Sequence, residues 1–142
     1  MTTVDRLRFV IDTNVVFEGL TKQGSASGLL IDSWLANLFQ PFATNALAYE
    51  YADVLTRKLS PHRLQKIFPV LQSLLAATDF VPVYYTWRPI ANDSGDDHIV
   101  DCAMNTNASV VTWNLRDFRT AQAQLGLSLL TPVQAVQRLA ER

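Results

Sequence analysis

The sequence predicts an α/β fold, a three-layer α/β/α sandwich built on a mainly parallel sheet of about five strands. Three observations carry that expectation. Short apolar runs without polar alternation, such as Phe9-Val10-Ile11, read as strands buried on both faces. Between them, apolar residues recur at helical spacing, as in Leu29, Leu30, Trp34, Leu35 and Leu38. Helix-start signals stand at Ser25 or Ser27, Thr44-Asn45, Pro61 and Thr131-Pro132. Strands alternating with helices imply parallel strands with helices on both faces.

Taken in order, Leu7 to Ile11 is the first strand and Val15 to Leu20 a helical turn or two. A polar loop, Thr21 to Ser27, precedes the second helix, and Phe39 to Ala43 is a short second strand carrying Pro41. The next helix runs from the Thr44-Asn45 cap to about Leu59, with Asp53 and Arg57 as an exposed ion pair. Pro61 opens another, with a bend expected at Pro69. Thr78 to Tyr85 reads as an edge strand because of Pro82. A helix then begins near Asp96, and Ala108 to Thr112 and Leu127 to Leu130 are the last strands before the closing helix.

The 142 residues, 49% hydrophobic and 18% charged, fit one globular domain spanning residues 1–142. The single cysteine, Cys102, excludes an internal disulfide framework and reads as a helix core residue. Asp5, Arg6 and Arg8 interrupt any apolar leader, so a cytoplasmic protein without membrane contact is expected. A net charge of −1 argues against broad electrostatic binding of nucleic acid and for a local site.

Chemistry concentrates in the acids. Asp12 ends the first strand in the triplet Asp12-Thr13-Asn14, and ligands of open α/β sheets bind outside the carboxyl ends of strands. Read alone, the triplet is a helix cap, Asp12 or Asn14 closing the first turn of a helix near Val15. Glu50 lies on the apolar side of its helix, beside Leu47 and Val54, and needs a partner. Asp93, Asp96, Asp97 and Asp101 crowd the start of a helix; Ser94 and Asp97 have capping-box spacing, but Asp97 and Asp101 repel each other on one face unless a cation is near. Asn114 and Asp117 follow the fourth strand. Carboxylates without a Cys or His cluster suit Mg²⁺ or Mn²⁺, and two such ions about 3.5 to 4 Å apart can drive in-line phosphodiester cleavage. His62 and His98 fit no catalytic triad.

The order of an apolar strand with Asp12-Thr13-Asn14, Glu50 within a helix, Asp97 ahead of Ile99-Val100 and Ala103, and the segment VTWNLRDF resembles the PIN-domain nucleases. It is most similar to their small prokaryotic branch, the ribonuclease toxins of toxin–antitoxin pairs. The resemblance implies that Asp12, Glu50 and Asp97 gather one or two Mg²⁺ or Mn²⁺ ions, with Asn114 or Asp117 at the fourth acidic place. Asn14 and Thr112 match supporting positions. It also implies an RNA substrate, a homodimer and an antitoxin protein covering the acidic groove.

Arg88, Arg116 and Arg119 are candidate phosphate contacts, and Asp101 is a supporting acid. Trp34, Trp87, Trp113, Tyr84 and Tyr85 are read as core or interface first and base-stacking platforms second. Two rivals stand beside the nuclease. A haloacid-dehalogenase-like phosphatase wants a second carboxylate where Asn14 stands. A PIN-like scaffold without activity, binding RNA or protein, is motivated by the amide of Asn114.

Overall fold

Five parallel strands lie in the order β3-β2-β1-β4-β5, which places the first strand of the chain at the centre of the sheet. The computed structural model describes residues 6–82 and 96–142. Along the chain run β1 (Arg8–Ile11), α1 (Thr13–Thr21), α2 (Ala26–Leu35), β2 (Gln40–Ala43), α3 (Asn45–Lys58), α4 (Pro61–Ala76), β3 (Asp79–Phe80), α5 (Asp97–Thr106), β4 (Ser109–Val111), a short 3₁₀ turn (Leu115–Phe118), α6 (Arg119–Leu125), β5 (Leu129–Leu130) and α7 (Pro132–Ala140). This is the α/β/α sandwich expected. Helix α5 packs on β1, β2 and β4, while α1 to α4 pack on one another and α7 joins α2.

Strand β1 is paired on both edges, by β2 and β4, with Phe9 opposite both Pro41 and Ser109, and Phe9, Val10 and Ile11 are all buried. Pro41 sits in an interior strand, a place proline normally avoids. Its missing N–H is harmless here. Gln40 directs its N–H to Leu7 of β1, so the next residue faces the β3 side, where pairing begins only at Phe42 opposite Asp79.

An aromatic chain links the layers. The rings of Phe9 and Phe39 lie 5.0 Å apart, those of Phe39 and Trp34 6.0 Å, and Trp34 meets Tyr51 of α3 edge-on at 6.4 Å. Such pairs add about 0.5–1.5 kcal/mol beyond burial. They also set the height of α3 over the sheet.

The helix ends follow local chemistry. Thr44 and Ser60 cap α3 and α4, and Thr131 forms a capping box with Gln134 ahead of Pro132. Helix α4 continues through Pro69 to Ala76. Asp53 and Arg57 pair at 2.9 Å on an exposed face, as expected.

Three expectations shift. The first helix starts at Thr13, not Val15, because Asp12 caps it. Ser25 caps α2, whereas Ser27 is fully buried within it. The third strand, expected over Thr78 to Tyr85, is paired at Asp79–Phe80, with Val81 adding one bond to Ala43; its part beyond Pro82 lies outside the described residues. Asp93 and Ser94 also lie outside them, and Asp96 stands at the N-cap of α5 with no capping bond from its side chain. No helix among the described residues is long and apolar enough to cross a membrane.

Candidate active site at the carboxyl end of the central strand

Asp12 follows β1 directly, and its backbone N–H continues the ladder by donating to the Val111 carbonyl at 2.9 Å. Its carboxylate is almost enclosed, at 6% exposure. One oxygen, Oδ1, accepts from the Thr13 N–H at 2.7 Å; the other, Oδ2, accepts from the Thr112 hydroxyl at 2.7 Å. The capping reading holds at Asp12, where one oxygen takes the first N–H of α1 while the other accepts from Thr112.

Burial pushes the Asp12 carboxyl above the ordinary aspartate range. The bonds from Thr112 and Thr13 pull it back, the Glu50 carboxylate raises it again, and His98 lowers it. Glu50 thus lies within electrostatic reach of Asp12. The partner that Glu50 needs is His98, whose Nε2 stands 3.1 Å from Glu50 Oε2. His98 was not anticipated from the sequence; its one signal is that it directly follows Asp97.

The remaining acids stand on α5 and on the 3₁₀ turn after β4. Asp97 opens α5, one residue ahead of His98, at 2% exposure, and Asp101 is buried one turn further on at 1%. Cys102 is core, as expected, and burial pushes its thiol up to about 12. Past β4, Asn114 donates from its side-chain amide to the Asp117 carboxylate, so the two candidates for the fourth acidic place are partners of each other. Asn114 makes no side-chain cap. Its backbone N–H donates to the Thr112 hydroxyl oxygen at 2.9 Å, which leaves the hydroxyl proton for Asp12.

Asn14 is exposed and accepts from the Trp113 N–H at 3.4 Å. Arg116 and Arg119 are exposed on the 3₁₀ turn and the first residue of α6. Arg88, with Tyr84, Tyr85 and Trp87, lies outside the described residues. Trp34 is core, but Trp113 is 42% exposed.

The donor set bears on what the site can hold. Among the described residues, no group of three or more His, Cys, Asp and Glu side chains is assembled as a metal cage. The chemistry of the donors nonetheless fits a hard divalent cation. Asp12 and Glu50 are oxygen donors in each other's field, and a cation would offset both their repulsion and the lost hydration of Asp12. Thr13 Oγ1 and His98 Nδ1 are buried with no hydrogen-bond partner among the described residues, and they belong to the residues adjoining Asp12 and Glu50. The water shell of a bound ion is one group that would satisfy such atoms.

Comparison with known proteins bears on the fold and the family. No curated protein matches the sequence. Among solved structures, PAE2754 from Pyrobaculum aerophilum superposes with a TM-score of 0.70 at 10% identity, covering 96% of this chain and 97% of that one. FitAcB from Neisseria gonorrhoeae gives 0.66 at 18% identity, over 87% and 97% of the two chains. VapBC2 from Rickettsia felis, solved bound to a DNA fragment from its promoter, gives 0.63 at 14% identity, over 88% and 98%. These likenesses are of fold. The profile of the PIN domain matches residues 8–116, from the first residue of β1 into the 3₁₀ turn that follows Asn114, and the chain therefore belongs to the PIN-domain family.

Proposed function

We propose that this protein is a divalent-metal-dependent endoribonuclease and the toxin of a toxin–antitoxin pair. The observation that carries the reading is the Asp12 carboxylate, desolvated at the end of the central strand, doubly oriented by Thr13 and Thr112, and facing the field of a second carboxylate, Glu50. Asp12, Glu50 and Asp97 would hold Mg²⁺ or Mn²⁺, with the Asn114–Asp117 pair beside them. When bound, the ion supplies an activated water and charge for the leaving oxygen of an in-line phosphodiester cleavage.

The chain's own residues do the positioning. Thr112 and the Thr13 N–H fix the Asp12 oxygens, and His98 holds Glu50. Arg116 and Arg119 supply cationic contacts for the RNA backbone. Family membership supports the nuclease. The resemblance of the four motifs to prokaryotic ribonuclease toxins, with the fold shared with VapBC2, supports an antitoxin over the acidic groove, a homodimer and a cytoplasmic setting.

A second reading, a PIN scaffold that binds RNA or protein without cleaving, is favoured by two observations. Asn114 brings an amide, not a charge, and no three-ligand cage stands ready among the described residues. Calorimetric titration of Mn²⁺ into the wild type and Asp12→Asn, with cleavage of a mixed single-stranded RNA in the same buffer, separates the two. The nuclease requires binding and cleavage in the wild type and the loss of both in the variant. Metal binding without cleavage favours the scaffold, and no binding in either protein overturns the metal site.

A further inference from the structure

Trp113 is exposed but not loose. Its indole Nε1–H is shared between Glu18 Oε1 at 3.0 Å and Ser27 Oγ at 3.1 Å, and Ser27 in turn donates to Glu18 at 2.8 Å. Ser27 is fully buried, so the anchor is part of the packed α1–α2 pair. The backbone is fixed as well. The Trp113 N–H reaches Asn14 Oδ1, and the bond from the Asn114 N–H to Thr112 Oγ1 clasps the residue from both sides. A large aromatic with 42% of its surface exposed is thereby held by the same threonine that holds Asp12.

Such an anchor has a use. An exposed indole normally gives up side-chain freedom when it binds, and an indole already fixed does not. Its polar edge is consumed by Glu18 and Ser27, which leaves the π surface as its means of recognition. The turn that follows carries the exposed Arg116 and Arg119, and an aromatic surface beside cations is the pairing that single-stranded nucleic acid recruits, base on ring and phosphate on guanidinium.

We propose that Trp113 is the stacking platform for a nucleobase of single-stranded RNA, setting the position of the strand relative to Asp12. The proposal rests on the ribonuclease reading and goes beyond it by naming the residue that grips a base. Stacking is sequence-tolerant, so Trp113 governs affinity for unpaired bases in general, not the choice of one base.

The test uses the Asp12→Asn protein, to prevent turnover, titrated with a short oligoadenylate and with an abasic oligonucleotide of the same length. Intrinsic tryptophan fluorescence and anisotropy are read together. The parent should bind oligoadenylate with quenching and bind the abasic strand more weakly. Adding Trp113→Ala should abolish most of the quenching and weaken oligoadenylate binding at least about fivefold, leaving the abasic strand unaffected. Trp113→Phe, which keeps a ring, should recover part of the affinity. Equal oligoadenylate affinity in the parent and the Trp113→Ala variant overturns the proposal. So does quenching that persists in that variant, or an effect confined to self-association in sedimentation. The premise fails separately, by wild-type protein that neither binds nor cleaves RNA with Mn²⁺, or by Asp12→Asn that cleaves as well as wild type.

Discussion

The hydroxyl of Tyr51 donates to the carbonyl of Ile11, joining the residue after Glu50 to the residue before Asp12. One hydrogen bond thus sets the spacing of two acids that come from different elements. It is wholly buried, with Tyr51 at 1% exposure, and burial, reinforced by the charge of Asp12, pushes the phenol well above its ordinary range. Tyr51→Phe keeps the ring against Trp34 but removes the donor. Urea unfolding should show a loss of about 1–2 kcal/mol, and Mn²⁺ affinity should fall because Glu50 is no longer held in register. A variant with unchanged stability and affinity would show that the aromatic packing alone places α3.

Thr112→Val tests the other side of Asp12. The swap is nearly isosteric, but it removes the proton given to Asp12 Oδ2 and the acceptor used by the Asn114 N–H. Groups that orient a metal ligand typically change affinity by about 10–100-fold when lost, and Mn²⁺ calorimetry should show a fall within that range. Thr112→Ser, which keeps the hydroxyl, should stay close to wild type.

Asp12 also dictates a pH dependence. Its carboxyl titrates higher in the folded chain than in the unfolded one, because burial disfavours the charge. Between the two values the folded state binds more protons, so without metal the contribution of Asp12 to stability is fully present below the ordinary aspartate range and is lost as pH rises through the raised folded value. Urea midpoints in EDTA across acidic to neutral pH should show this decline, and Asp12→Asn should flatten it. Mg²⁺ should restore stability at neutral pH in the wild type but not in the variant.

Gly19 controls how closely α1 approaches α2. A Cβ there would lie 2.5 Å from Ile31 Cγ1 and 2.6 Å from the Ser27 carbonyl oxygen, and the latter is backbone that cannot turn aside. Gly19→Ala should cost about 1–3 kcal/mol in thermal or urea unfolding. Because Ser27 belongs to the indole anchor, the same change should alter the fluorescence of Trp113.

The fold was legible because strand burial and helix capping are local signals. Phe9-Val10-Ile11 announced the central strand, and Thr44, Pro61 and Thr131 announced their helices. Asp12 and Glu50 were legible as an acid at a strand end and an acid on an apolar helix face. What stayed hidden depends on contacts between distant segments. His98 carries no pattern of its own until α5 is laid against α3. Tyr51 and Trp113 are aromatics whose burial or exposure only the packing decides, and Ser27 passed for a second helix cap because its partner, Glu18, comes from another helix. The expected gathering of Asp12, Glu50 and Asp97 is seen only as far as Asp12 and Glu50, with Asp97 beside the histidine that meets Glu50.

The position of β1 between β2 and β4 has a consequence for biosynthesis. The segment through β3 can lay β2 and β3 along one side of β1, bringing Glu50 toward Asp12. The other side stays open until β4, about a hundred residues behind, docks and delivers Thr112. A nascent chain paused anywhere before that strand emerges from the ribosome lacks the hydroxyl that orients Asp12, and with it Trp113. The centre therefore forms only after β1, β2, β3 and helices α1 to α4 have all left the translation machinery.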